Sequence, residues 1–180
     1  WTAEHAQELG INPSESVVIG GSGGAPMAAG SALLARDKKH PRICAQMLLA
    51  PMLDDRVDTV SAKQYENIGP WCGHVNRMAW DCVLGDKRGD PNVDGKVAPA
   101  RERDLSGLPP TYIDVSECKV FRDEAVAFAT QLWESGVSAE LHVWPGGFHG
   151  FEMAAPNAPV SRASIKAKTS WLKRTLGLAQ

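Results

Sequence analysis

Residues 17 to 26, VVIGGSGGAP, constrain this chain more than any other stretch. Ser16 to Ile19 reads as a short apolar strand. Gly20, Gly21, Gly23 and Gly24 surround Ser22, and Met27 to Arg36, MAAGSALLAR, is dense in helix formers. The chain therefore passes from strand to helix through a turn in which glycine stands on both sides of one serine. Two readings are open. One is a glycine-rich strand–helix turn, flexible or suited to phosphate. The other is a turn so tight that it holds Ser22 in a strained conformation, with glycine where flanking side chains would collide. The phosphate reading is the weaker, because no G-K-[ST] follows and GGSGGA lacks the acidic partner of a dinucleotide site.

Further along, the same alternation recurs. Trp1 to Leu9 reads as a helix stopped by Gly10. Ile43 to Pro51, ICAQMLLAP, is the apolar run expected of a strand covered on both faces. Thr111 to Val115 is a further strand, and Ala139 to Trp144 alternates as a strand does. Phe121 to Ser135 is the clearest helix: Phe121, Ala125, Phe128, Ala129 and Leu132 form one stripe, and Gly136 ends it. Ser161 to Leu176 is a last amphipathic helix. Strands alternating with helices specify an α/β fold with a parallel sheet. From Asp54 to Leu108 the alternation fails. Within that stretch Val75, Met78, Ala79, Cys82 and Val83 make a helical stripe ending at Gly85, and GDKRGDPNVDGK is loop. The region is read as an insertion into one domain spanning residues 1–180.

Several function classes are disfavoured. A net charge of −2 and a pI near 6.2 give no electrostatic footprint for nucleic acid or an anionic membrane. No run is long enough for stable membrane insertion, and WTAEHAQELG is not a signal peptide. Cys44, Cys72, Cys82 and Cys118 contain no C-x-x-C pair and are read as reduced, which points to a cytoplasmic protein. No His/Cys/carboxylate spacing suggests a metal, and Asp54 and Asp55 are read as a solvated turn rather than an ion pair for a divalent cation. No cofactor is implied.

With strand before it, helix after it, and Gly20 and Gly24 two residues to either side, Ser22 fits the G-x-S-x-G nucleophile elbow in its required context. The helix start aims N–H groups and its positive end at the turn, making the Gly23 N–H an oxyanion donor. Among five histidines, His5 and His40 are read as solvated, His74 opens a helix in the insertion, and His142 lies on a strand. His149 stands apart. WPGGFHGF places it in a glycine-rich loop beyond the last strand, where a parallel sheet assembles a site, and serine early with histidine late is the hydrolase order. His149 is the expected general base. Trp71, Trp80 and Met78 either line an acyl pocket or pack inside the insertion.

On these residues the chain resembles the hormone-sensitive-lipase-like carboxylesterases of the α/β-hydrolase fold. The resemblance rests on GGSGG at Gly20–Gly24, LLAPMLDDR at Leu48–Arg56, DLSGLPPTYIDV at Asp104–Val115, VFRDEAVAFA at Val120–Ala129 and HVWPGGFHGFEM at His142–Met153. It implies the C-terminal half of an α/β-hydrolase, a mostly parallel sheet flanked by helices with a partial helical cap at 54–108. It implies a small-molecule ester substrate, Ser22 as nucleophile, His149 as base and Gly23 as one oxyanion donor. Two departures stand out. The family's His-Gly-Gly-Gly oxyanion loop is not in this sequence, so the domain is expected to be incomplete, needing an N-terminal half or a homo-oligomeric partner. The family's acid position, two residues before Phe121, holds Lys119. A cation there cannot orient the imidazole as a hydrogen-bond acceptor, and it disfavours the imidazolium that forms in the reaction. Glu117 is the nearest candidate acid, ahead of Asp123. The alternatives to an esterase are a non-catalytic small-molecule binder on the same fold, as in the plant gibberellin receptors, or an inactive fragment.

Overall fold

In the computed structural model, which describes residues 1–178, four parallel strands run in the order β1-β2-β3-β4. They are β1 (Val17–Gly21), β2 (Ala45–Leu49), β3 (Thr111–Ser116) and β4 (Ala139–Trp144). Each strand follows its neighbour in sequence, so every connection crosses over the sheet, which parallel pairing requires. Helix α1 (Ala6–Leu9) is shorter than the expected Trp1–Leu9, because residues 2–5 form turns; Gly10 closes it at φ 63°. Helices α2 (Ala25–Lys38) and α5 (Arg122–Glu134) carry the first and last crossovers, and the short α6 (Phe151–Ala154) and the long α7 (Pro159–Thr175) follow β4.

The strand pleat sorts the core into two layers. Leu48, Ile113 and Val115 join Ala29 and Leu33 of α2 and Phe128, Ala129 and Leu132 of α5 in the main core. On the opposite face Met47 and Tyr112 pack with Trp171 of α7. This is the two-sided cover that the apolar run at Ile43–Pro51 calls for. Strand β1 forms one edge of the sheet, with Ile19 54% exposed.

The stretch between β2 and β3 contains no strand. It holds the expected helix, α4 (Gly73–Leu84), and a short helix the sequence did not suggest, α3 (Val60–Gln64); α4, however, buries a different face. Gly73, Asn76 and Trp80 point inward, while Met78, Cys82 and Val83 are exposed. The indole of Trp80 outweighs the smaller apolar side chains in setting the helix rotation. Asp54 and Asp55 are not a solvated turn: both are buried. Asp55 accepts from Arg101 Nε at 2.6 Å, Arg101 Nη2 at 3.0 Å and the Gly89 amide at 2.7 Å, and Asp54 accepts from Arg56. These bonds pin the start of the stretch to its later loops. The four cysteines are unbridged. No described helix is long and apolar enough to cross a membrane.

Candidate active site

Strand β1 delivers Ser22 to the C-terminal edge of the sheet, and a 3₁₀ turn (Ser22–Gly24) leads directly into α2. Ser22 adopts φ 54°, a left-handed conformation that a residue with a side chain rarely holds. Gly20 is what permits it. A Cβ there would lie 2.3 Å from the Gly24 carbonyl oxygen and 2.8 Å from the Ala25 Cα. Gly24 differs: a Cβ at that position meets nothing within 4 Å. Glycine is thus sterically required on one flank of the serine and not, as the sequence suggested, on both. The Gly23 N–H follows the serine at the head of the helical run, beside the helix's positive end.

The loop after β4 brings His149 to the serine across 127 residues of sequence, with Ser22 Oγ 3.3 Å from His149 Nε2. The other ring nitrogen, Nδ1, is in hydrogen-bonding contact with Lys119 Nζ. Lys119 leaves the end of β3 and is 1% exposed. Its Nζ also lies 3.5 Å from the Ala50 carbonyl oxygen and 4.1 Å from the centroid of the Phe121 ring. Burial pulls the lysine well below its ordinary range, outweighing the opposing pull of Glu124 and Asp114. Burial, and then Lys119, lower the His149 imidazole from 6.5 to about 4. The site therefore holds a neutral imidazole at neutral pH. Its ring is flanked by Trp71 and Phe121, each with its ring centroid 6.1 Å away.

Glu117 is elsewhere. It is exposed, and its Oε2 accepts from the Gly146 amide at 2.8 Å, so the structure does not bring its carboxylate to His149. Asp123 sits in the first turn of α5, paired with Arg122 and accepting from the Ser61 amide at 2.6 Å. A third carboxylate, Glu124, is fully enclosed and accepts from the Leu53 amide at 2.7 Å; burial pushes it well above the usual carboxylate range. His5 stacks on Trp1, His40 and His74 are exposed, and His142 stacks on Trp144. Of the three insertion side chains considered as pocket walls, Trp71 alone approaches His149, since Trp80 is in the core and Met78 is exposed. No group of three or more His, Cys, Asp or Glu side chains suited to a metal occurs among the described residues. A cavity of about 380 Å³ opens beside Ser22 and His149, with Leu49, Asp114, Trp144 and Phe151 in its wall.

The sequence missed the partners of Lys119. Phe121 was legible as a helix-stripe residue, but nothing local to LLAPM announces that the Ala50 carbonyl meets a lysine 69 residues away.

A family model described as alpha/beta hydrolase fold matches residues 1–153. The chain belongs to that family. This hydrolase-fold chain is 32% identical over 178 residues to carboxylesterase NlhH of Mycobacterium tuberculosis, covering 98% of this chain and 56% of the relative. Among solved structures, a bacterial heroin esterase superimposes with a TM-score of 0.93 at 39% identity, over 97% of this chain and 56% of that one. A thermostable esterase from Pseudomonas putida gives a TM-score of 0.91 at 30% identity, over 99% and 57%. The resemblance to hormone-sensitive-lipase-like carboxylesterases agrees with these relatives. The hydrolase-fold chain spans a little over half the length of each of them.

Proposed function

We propose that the protein hydrolyses carboxylic esters of small molecules, with Ser22 as nucleophile and His149 as general base. The observation that carries the reading is the strained elbow serine with its Oγ 3.3 Å from His149 Nε2. Ser22 Oγ attacks the ester carbonyl carbon while its proton passes to Nε2. The Gly23 N–H donates to the resulting oxyanion. The C–O bond to the alcohol then breaks, and the proton on Nε2 goes to the departing alkoxide. Water attacks the acyl carbon as one of its protons passes to Nε2; the C–Oγ bond then breaks, the Nε2 proton returns to Ser22 Oγ, and the carboxylic acid leaves. The named relatives, a carboxylesterase and two esterases, support the substrate class. The cavity of about 380 Å³ suits a compact ester.

Lys119 at the acid position favours a second reading, a ligand-binding hydrolase fold without turnover. The two separate on p-nitrophenyl acetate hydrolysis. Turnover that disappears in Ser22→Ala, with p-nitrophenyl acetate still bound, supports the esterase. Binding without turnover in the unmodified protein supports the second reading.

A further inference from the structure

We infer that Lys119 is a positioning residue acting as a neutral amine, accepting a hydrogen bond from His149 Nδ1–H and so leaving the Nε2 lone pair for Ser22. This rests on the serine-esterase reading above and adds what replaces the missing acid. The geometry around Nζ has room for one bonding pattern of each protonation state. A neutral amine has two N–H donors and one lone pair. Its surroundings offer two acceptors, the Ala50 carbonyl oxygen and the face of the Phe121 ring. The remaining neighbour is His149 Nδ1, which is a donor in one of the two neutral tautomers. An ammonium has three donors and no lone pair. Against it, Nδ1 has to be the acceptor, which puts the ring proton on Nε2, facing Ser22. In that tautomer the imidazole cannot take the serine's proton.

Burial selects between the two. Lys119 is buried, its Nζ set among the Ala50 carbonyl, the Phe121 ring and His149, and two carboxyl groups act on it, Glu124 on α5 and Asp114 on β3. Both are themselves pushed up by burial, Glu124 strongly, which weakens the case for a buried ammonium. The amine thus does one of the acid's two tasks. It fixes the tautomer, but it does not stabilise the imidazolium that forms during attack.

The direct test is nitrogen-15 NMR of the histidine rings in the unmodified protein at neutral pH. The expected result is His149 neutral with its proton on Nδ1; a proton on Nε2 overturns the inference. Kinetics of Lys119→Met, which fills a similar volume with no lone pair to offer, give a second test. The expected result is a fall of at least tenfold in kcat with little change in KM, set against about 10⁴ where a triad is locked in the wrong tautomer. Restored or raised kcat is expected in Lys119→Glu. Unchanged kcat in Lys119→Met, with Lys119→Glu active, overturns the role of Lys119 and leaves the esterase standing. Absence of turnover in the unmodified protein and in Lys119→Glu alike overturns the esterase reading and this inference with it.

Discussion

Replacing Lys119 by glutamate should raise ester turnover, and the structure sets the scale. His149 is held at about 4, which is about 2.5 below its ordinary 6.5. At about 1.4 kcal/mol for each unit of pH, the imidazolium formed during attack is disfavoured by roughly 3 to 4 kcal/mol. Burial is the larger cause and survives the substitution; water reaching a half-buried ring reduces the figure further. A neutral amine at this position has no charge to repel the imidazolium, so the gain comes from the attraction that a carboxylate adds. A net gain of about 2 kcal/mol follows, roughly thirtyfold in kcat/KM. It is smaller than the roughly 10⁴ lost when a triad acid is removed, because the amine already fixes the ring. The pH profile has a definite sign. A depressed imidazole is neutral and competent above about pH 4, so the acidic limb of the unmodified protein lies low. The carboxylate raises the imidazole, and the limb in Lys119→Glu moves to higher pH. The assay is p-nitrophenyl acetate hydrolysis from pH 4 to pH 9, with Glu117→Gln as a control expected to change little, since that carboxylate rests on the Gly146 amide. Equal rates and equal limbs in Lys119→Glu and the unmodified protein, with melting temperature preserved, refute this reasoning. Loss of turnover in Glu117→Gln shows instead that the loop bends to bring Glu117 to the ring.

Gly20→Ala is expected to destabilise the fold by about 3 kcal/mol and abolish turnover, whereas Gly24→Ala stays within about 0.5 kcal/mol, because their Cβ atoms meet the Gly24 carbonyl and open space respectively; chemical denaturation measures both. Asp55→Asn should cost about 3 kcal/mol or more by leaving Arg101 unpaired. Burial pushes Asp55 up, but bonds from Arg101 and Gly89 outweigh it and hold it below 3.8. Its stabilisation is therefore present above pH 3.8 and lost as pH falls through the lowered value, so the gap in melting temperature between Asp55→Asn and the parent narrows in acid. The exposed edge at β1, with Ile19 and Met27 open to solvent, predicts self-association of the 180-residue chain in sedimentation; a monodisperse monomer contradicts it.

Strands and the main helices were legible because their signals are local. Ala139–Trp144 is found where its alternation puts it, and Ser22 lies at the strand–helix junction that its glycines mark. Chain order was enough to single out His149, because a loop beyond the last parallel strand reaches the same sheet edge as the loop after β1. What the sequence withheld was burial. Lys119 reads as a surface cation until the fold encloses it, and the Asp54–Asp55 pair reads as a solvated turn until Arg56 and Arg101 close on it. The face of α4 was misread for a related reason. Counting apolar positions favoured Met78 and Val83, while the core selected one large ring, Trp80. The surplus glycine at Gly24 shows the limit of motif reading: the pattern names two glycines, and steric contact requires one.

The central claim is that His149 activates Ser22, and a fluorophosphonate probe tests it most directly. Phosphonylation of a serine needs an activated hydroxyl but no acyl specificity. Mass spectrometry of the labelled protein at neutral pH should find one equivalent of probe on Ser22, with labelling slowed at least tenfold in His149→Ala. Intact Ser22 after prolonged treatment, or label on another residue, would contradict the account.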